Sequence, residues 1–221
     1  MKYIFTDMDN TICESRQKIS DEMIKVLEML KEKYTLIIVT ARDYKEASIQ
    51  CPISNILFMC QNGNEIVMND KLIFMNPISE NLKEEIYNHI TLIVNYLGIK
   101  FDRKEMIEDR GAEISFSLLG HKTPMIEKKK FDLDRKIRNN LLQHIPFSNA
   151  FIGGTTCIDY VSASKGDNIK KFIERNEIKS SDCLYLGDSF DGLGNDATVC
   201  GVIPTYEVRN PQDTLKFIKQ L

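Results

Sequence analysis

Three short apolar runs punctuate the first quarter of the chain, and helical periodicity separates each from the next. Residues 2–6 carry Tyr3-Ile4-Phe5, the second run is Leu36-Ile37-Ile38-Val39, and the third is Ile56-Leu57-Phe58-Met59. After the first run Ser20 is placed as an N-cap, and Met23, Val26, Leu27 and Leu30 fall on one stripe that lasts to Lys33. A second helix or turn occupies residues 44–50. Apolar runs without polar alternation read as strands buried on both faces. Strand, helix, strand, helix, strand then requires a parallel sheet with right-handed crossovers. Such sheets place their ligand sites at the carboxyl ends of the strands. Asp7, Thr40 and the turn Asn62-Gly63-Asn64 all fall at that edge.

The pattern changes after Asn76-Pro77. A long amphipathic helix over residues 80–97 stops at Gly98. Alternating strands are expected at 106–110 and 113–118, a charged helix at about 132–144, and strands around 150–152 and 157–161. The parallel alternation then resumes with a helix at 166–175, a strand at 183–186, another near 199–203 and a final helix at 211–221. The fold class is therefore α/β. A discontinuous Rossmann-like parallel-sheet core, residues 1–78 and 162–221, carries an inserted α+β cap, residues 79–161.

A chain of 221 residues suits such a core with an insert. A net charge of −3 argues against general nucleic-acid binding, which needs a basic field. The basic run Lys128-Lys129-Lys130 is flanked by Glu127, Asp132 and Asp134 and reads as a solvated helix face. The six cysteines are scattered without a C-x-x-C pair, which fits reduced thiols and neither a disulfide frame nor a zinc site. The three histidines lack metal-ligand spacing. No run approaches the ~20 apolar residues that span a bilayer. The apolar run before Asp7 is too short for a signal peptide. A cytoplasmic protein with no membrane partner is expected.

The chemistry-bearing residues cluster at strand ends. Asp7 and Asp9, two positions apart as the chain leaves the first strand, point the same way. One can attack phosphorus, the other can shuttle a proton, and both can give an oxygen to one Mg²⁺. Thr40 ends the second strand with a hydroxyl that can reach a phosphoryl oxygen. Lys165 sets an ammonium beside a helix N-terminus. Leu184-Tyr185-Leu186-Gly187-Asp188 is a strand ending in a third carboxylate, followed by a loop with Asp191, Asn195 and Asp196. Asp7, Asp9 and Asp188 are the expected Mg²⁺ ligands. Gly192-Leu193-Gly194 lacks the helix and spacing of a nucleotide-binding fingerprint.

Asp7-x-Asp9-x-Thr11, Thr40, Lys165 and Gly187-Asp188…Asn195-Asp196 resemble the four motifs of the haloacid dehalogenase superfamily, in the branch with the larger α+β cap. Further segments resemble the eukaryotic-type phosphomannomutases: Arg16-Gln17-Lys18-Ile19, Gly153-Gly154 leading to Asp159, and Asn210-Pro211-Gln212-Asp213-Thr214. The resemblance implies that Asp7 becomes an aspartyl-phosphate and that Asp9 is the general acid and base. It implies that Thr40 and Lys165 stabilise the phosphoryl group, with Asp191, Asn195 and Asp196 supporting the metal ligands. Substrate contacts are expected from Arg16, Arg42, Asn62, Arg110, His121, Lys128 and Asp159. In the mutases, cap arginines clamp the phosphate remote from the reacting one. Arg110 keeps the first of these, while His121 and Lys128 stand at the other two. Arg and Lys are not equivalent as phosphate forks, so a weaker clamp favours loss of a bisphosphate intermediate to water. The expectation is a Mg²⁺-dependent phosphohydrolase acting on a small phosphorylated metabolite, a hexose phosphate. The alternative is a phosphomannomutase interconverting mannose 6-phosphate and mannose 1-phosphate. A homodimer through the cap is implied by the same resemblance.

Overall fold

The computed structural model describes residues 1–132 and 134–221. The chain opens with β1 (Tyr3–Thr6), α1 (Asp21–Lys33), β2 (Thr35–Val39), α2 (Tyr44–Gln50), β3 (Leu57–Cys60), β4 (Glu65–Met68) and β5 (Lys71–Met75). The middle contains α3 (Glu80–Leu97), α4 (Arg103–Met106), β6 (Ile107–Asp109), β7 (Glu113–Ser117), α5 (Met125–Phe131), α6 (Lys136–His144), β8 (Ala150–Gly153) and β9 (Cys157–Val161). It closes with α7 (Lys165–Arg175), β10 (Cys183–Gly187), β11 (Thr205–Glu207) and α8 (Pro211–Ile218). Two compact units result: Met1–Met75 with Ala163–Leu221, the core, and Asn76–Ser162, the cap. No helix among the described residues is long and apolar enough to cross a membrane.

The core sheet has the order β11-β10-β1-β2-β3-β4-β5. Its first five strands run parallel, and β4 and β5 continue it as an antiparallel hairpin. Successive side chains on the central strands serve opposite faces, as period-two geometry requires. Ile4, Leu36 and Ile38 join a cluster with Met23 and Leu27 of α1 and Leu215 of α8. Phe5, Ile37 and Val39 join the other, with Ile169 and Ile173 of α7. Burial on both faces is why these strands read as unbroken apolar runs. Their helices start where the sequence supplies caps. Ser20 Oγ accepts from Met23 N–H, Ser164 Oγ from Asp167 N–H, and Asn210 Oδ1 from the amides of Gln212 and Asp213.

Several local expectations are corrected. The strand read at 199–203 is a 3-10 turn, Asn195–Val199, and a loop; the edge strand is Thr205–Glu207, beyond Pro204. Val199 and Ile203 are apolar because they plug the core cluster beneath α7, not because they pair in the sheet. The strand expected from 106 begins one residue later. Asp102 accepts from the amides of Lys104 and Glu105 and so starts a helical turn that Met106 ends. The helix expected from 132 starts at Lys136, and Leu133, inside that range, lies outside the described residues. The β4–β5 hairpin and α5 were not anticipated. The hairpin turns at Asn69 and Asp70, both at positive φ, a conformation these two residue types tolerate. The basic run lies on α5, but Lys128 is only 3% exposed, so the solvated face excludes it.

The cap is a four-stranded antiparallel sheet in the order β6-β7-β9-β8. Ile114, Phe116, Ile158 and Tyr160 are fully buried, as are Ile86 and Ile93 on α3. His89 of α3 is buried among them. Its Nε2 lies 2.8 Å from the carbonyl of Ile145, and its Nδ1 lies 2.8 Å from the Tyr160 hydroxyl. A carbonyl only accepts, so Nε2 carries the proton and Nδ1 accepts from Tyr160. Burial pushes the imidazole below its ordinary value of 6.5. The unfolded chain therefore binds a proton that the folded cap refuses, and stability falls as pH drops through the ordinary histidine range. Between pH 7.5 and 5.5 the Tm of the wild type is expected to fall more than that of His89→Gln. Equal losses would refute this assignment.

Candidate active site

The loop after β1 is fixed by its own apolar residues. Met8, Ile12 and Cys13 are buried in the core cluster, and the amides of Thr11, Ile12 and Cys13 converge on the Met8 carbonyl. Asn10 takes a left-handed φ of 58° to close this turn. Asp7 and Asp9 emerge from it with different partners.

Asp7 is buried and receives a hydrogen bond from Lys165 Nζ at 2.9 Å. Lys165 is the first residue of α7, so the ammonium lies at a helix N-terminus. It also donates to Asp196 Oδ1 at 2.6 Å and to the Tyr185 hydroxyl at 2.9 Å. Asp196 is fully buried, and its Oδ2 accepts from the amides of Asp188 and Ser189 at 3.1 and 3.0 Å. These bonds pin the loop after β10 and place Asp188 near Asn10, whose Nδ2 lies 3.5 Å from Asp188 Oδ2. Gly187 is required here, since a Cβ would come within 2.4 Å of Asp196 Oδ2.

Carboxylate oxygens of Asp7, Asp188 and Asp196 lie within 4.8 Å of one another. Asp7 and Asp196 share the one ammonium and Asp188 adds a third carboxylate beside them, so acidic groups outnumber the basic one. Burial pushes the Asp7 carboxyl well above its ordinary range; Lys165 pulls it back, and Asp196 and Asp188 push it up again. Burial works against the charge on Lys165, but Asp196 and Asp7 outweigh it and hold the ammonium protonated. A divalent cation on oxygen donors fits this imbalance. Asp7, Asp188 and Asp196 are the side chains that could hold it. Both oxygens of Asp196 already accept hydrogen bonds, from Lys165 and Tyr185 at Oδ1 and from two amides at Oδ2.

Asp9 is held by Arg42 in a two-point pair, with Nε 2.8 Å from Oδ2 and Nη2 2.9 Å from Oδ1. The amide of Arg16 adds a third bond at 2.7 Å, and Arg42 Nη1 reaches Glu46 at 2.9 Å. Thr40 Oγ1 accepts from the Arg42 amide, which fixes the turn after β2. Asn62 Oδ1 accepts from Asn195 Nδ2 at 3.0 Å, tying the end of β3 to the loop after β10. Asp191 is exposed, and its carbonyl accepts from the Gly194 amide.

The four cap candidates belong to one connected group. Arg110 donates to Glu113 at 2.6 Å and to Glu108 at 2.7 Å. His121 Nε2 donates to the Ser115 carbonyl at 3.1 Å, and Lys128 Nζ donates to the His121 carbonyl at 2.6 Å. Ser115 Oγ donates to Asp159 Oδ1, and Asp159 Oδ2 lies where a Cβ on Gly153 would be. Glu113 and Tyr185 went unread in the sequence. A tyrosine inside an otherwise aliphatic buried strand was the available signal.

The family model for haloacid dehalogenase-like hydrolases matches residues 4–145. The chain is 31% identical to the phosphomannomutase of Encephalitozoon cuniculi (strain GB-M1), over 97% of this chain and 91% of that protein. It is 26% identical to phosphomannomutase 1 of Dictyostelium discoideum, over 97% and 94% of the two. Solved structures share the fold. IMP-bound IMP-nucleotidase of Plasmodium falciparum gives a TM-score of 0.70 at 16% identity, covering all of this chain and 68% of that one. A haloacid dehalogenase-like hydrolase from Bacteroides thetaiotaomicron gives 0.62 at 12% identity, covering 99% and 98%. Motifs, fold and relatives agree: the chain belongs to the haloacid dehalogenase-like hydrolases, near the phosphomannomutases, and is a phosphatase or phosphotransferase of that type.

Proposed function

We propose that the protein is a Mg²⁺-dependent phosphohydrolase acting on a small phosphorylated metabolite, a hexose phosphate. The carrying observation is the Lys165 ammonium, shared at 2.9 and 2.6 Å between Asp7 and Asp196. It supports this reading because the Asp7 carboxylate, the nucleophile proposed here, lies beside a fixed cation. An Asp7 oxygen attacks phosphorus in line and the bond to the sugar oxygen breaks, giving an aspartyl-phosphate. Asp9, taking up a proton from solvent as its pairing with Arg42 opens on substrate binding, supplies the proton that the leaving oxygen needs. Water then loses a proton to Asp9 and attacks the same phosphorus, which releases phosphate and restores Asp7. Lys165 and Thr40 bind the phosphoryl oxygens. Mg²⁺ held by Asp7, Asp188 and the Asp9 carbonyl would supply the remaining charge compensation, where most of the advantage in phosphoryl transfer arises. Arg16, Arg42 and Asn62 in the core are assigned to the substrate. The cap face of Arg110, His121, Lys128 and Asp159 is assigned to recognition of its non-reacting end. Pairing of two copies through the cap remains part of this reading.

The second reading is a phosphomannomutase, supported by the names of the similar relatives. The cap favours hydrolysis over it. Arg110 already pairs with Glu113 and Glu108, and the other two clamp positions hold His121 and Lys128 in place of arginines, which weakens two-point recognition of a second phosphate. A panel of sugar phosphates with Mg²⁺ separates the two. Phosphate release without isomerisation supports the phosphohydrolase. Isomerisation of mannose 1-phosphate, dependent on a sugar bisphosphate and faster than release, supports the mutase.

A further inference from the structure

Tyr185 lies on β10 with no exposed surface, in the apolar cluster of Phe5, Ile37 and Val39. A phenol in such surroundings needs a partner for its hydroxyl. It has two. The hydroxyl donates to Asp196 Oδ1 at 2.5 Å and accepts from Lys165 Nζ at 2.9 Å. The ring is itself held edge-on against Phe190, with centroids 6.0 Å apart. An ammonium has three protons. Those of Lys165 meet Asp7, Asp196 and Tyr185, so all three are directed.

We propose that Tyr185 is a positioning residue for phosphoryl transfer, completing a three-point mount that aims the Lys165 ammonium at the phosphoryl group over Asp7. This rests on the aspartyl-phosphate reading above. Two acceptors would leave the long lysine stem free to swing about the line joining them; the third fixes it. When Asp7 forms its bond to phosphorus, its negative charge passes into the ester and its hold on Lys165 weakens. That N–H turns to a phosphoryl oxygen while Asp196 and Tyr185 keep the nitrogen in place. No proton is transferred in this exchange. The phenol touches neither substrate nor reacting atoms and acts through Lys165.

The test is Tyr185→Phe, which removes one oxygen and keeps the ring. Wild type and variant are compared in Mg²⁺ on p-nitrophenyl phosphate and on the best sugar phosphate of the panel. The expected result is a kcat lower by about 10- to 100-fold, as for a lost hydrogen bond to a charged group. KM should stay within about threefold, since ground-state binding is not what the mount serves. Inhibition by orthovanadate, which mimics five-coordinate phosphorus, should weaken by the same factor as kcat. A simple packing defect would lower Tm and the number of active sites without that matched loss. The amplitude of phosphoenzyme formation in a single turnover counts active sites, so partial unfolding cannot pass for slower chemistry. Wild-type kcat and vanadate affinity in Tyr185→Phe would overturn the proposal. No phosphate release by the wild type from any phosphomonoester would instead overturn the hydrolase reading on which it rests.

Discussion

Asp7→Asn is expected to lower phosphate release by at least ~10³-fold, because an amide cannot form the acyl phosphate that divides the reaction into two steps. The loss should fall on kcat, and acid quenching during turnover should trap phosphate on the wild type and none on the variant. The fold should survive. Asp7 shares the Lys165 ammonium with Asp196 and also lies close to Asp188, and the neutral isostere relieves the repulsion among these carboxylates. Without divalent cations, the Tm of Asp7→Asn should therefore equal or exceed that of the wild type. Added Mg²⁺ should raise the wild-type Tm and raise that of the variant less, because one oxygen ligand is gone. A variant that keeps its turnover would remove Asp7 as the nucleophile. Equal Mg²⁺ stabilisation of both proteins would remove it as a ligand.

Arg138→Met is expected to cost the cap about 3–5 kcal/mol, the usual penalty for stranding one member of a buried ion pair. Arg138 and Asp132 are both buried. Arg138 Nε donates to Asp132 Oδ2 at 2.7 Å, and Nη1 reaches the carbonyls of Gly153, Gly154 and Cys157 at 2.7, 3.1 and 3.3 Å. Asp132 in turn accepts from the amides of Ile137 and Arg138 at the start of α6. One guanidinium thus joins that helix start to the β8–β9 turn. The turn also seats Asp159 over Gly153. Methionine fills much of the volume but removes the charged partner of Asp132 and every bond the guanidinium gives to the carbonyls. Hydrogen exchange should show amides of the cap, residues 76–162, losing protection while the core keeps its own. Adding Asp132→Asn should recover part of the loss. Uniform loss of protection in both units would show that they unfold together.

How far the sequence carried differs between elements. Strands β1, β2 and β3 were legible because each is buried on both faces, and burial writes itself as an apolar run. The cap at Ser20 is likewise local. The β4–β5 hairpin was not legible: Leu72 and Ile73 on β5 are exposed, so no alternation marks a buried face. At the far edge, Val199 and Ile203 carried a strand signal for residues that pack as a plug.

The chain by itself determined which residues reach the active edge. Strand ends follow from hydrophobic periodicity, and parallel topology sends the carboxyl ends of β1, β2 and β10 to one side. Only the tertiary structure decided what those residues do to one another. Lys165 and Asp7 are 158 positions apart, and Asp9 meets Arg42 from 33 positions away. No local pattern records such pairs. It took the fold to show that Asp196 accepts at both oxygens, that the Tyr185 hydroxyl meets Lys165, and that Glu113 pairs with Arg110. Periodicity encodes burial, which is a property of one segment. Hydrogen bonds and charge balance depend on two or more segments at once, and only the closed sheet brings them within reach.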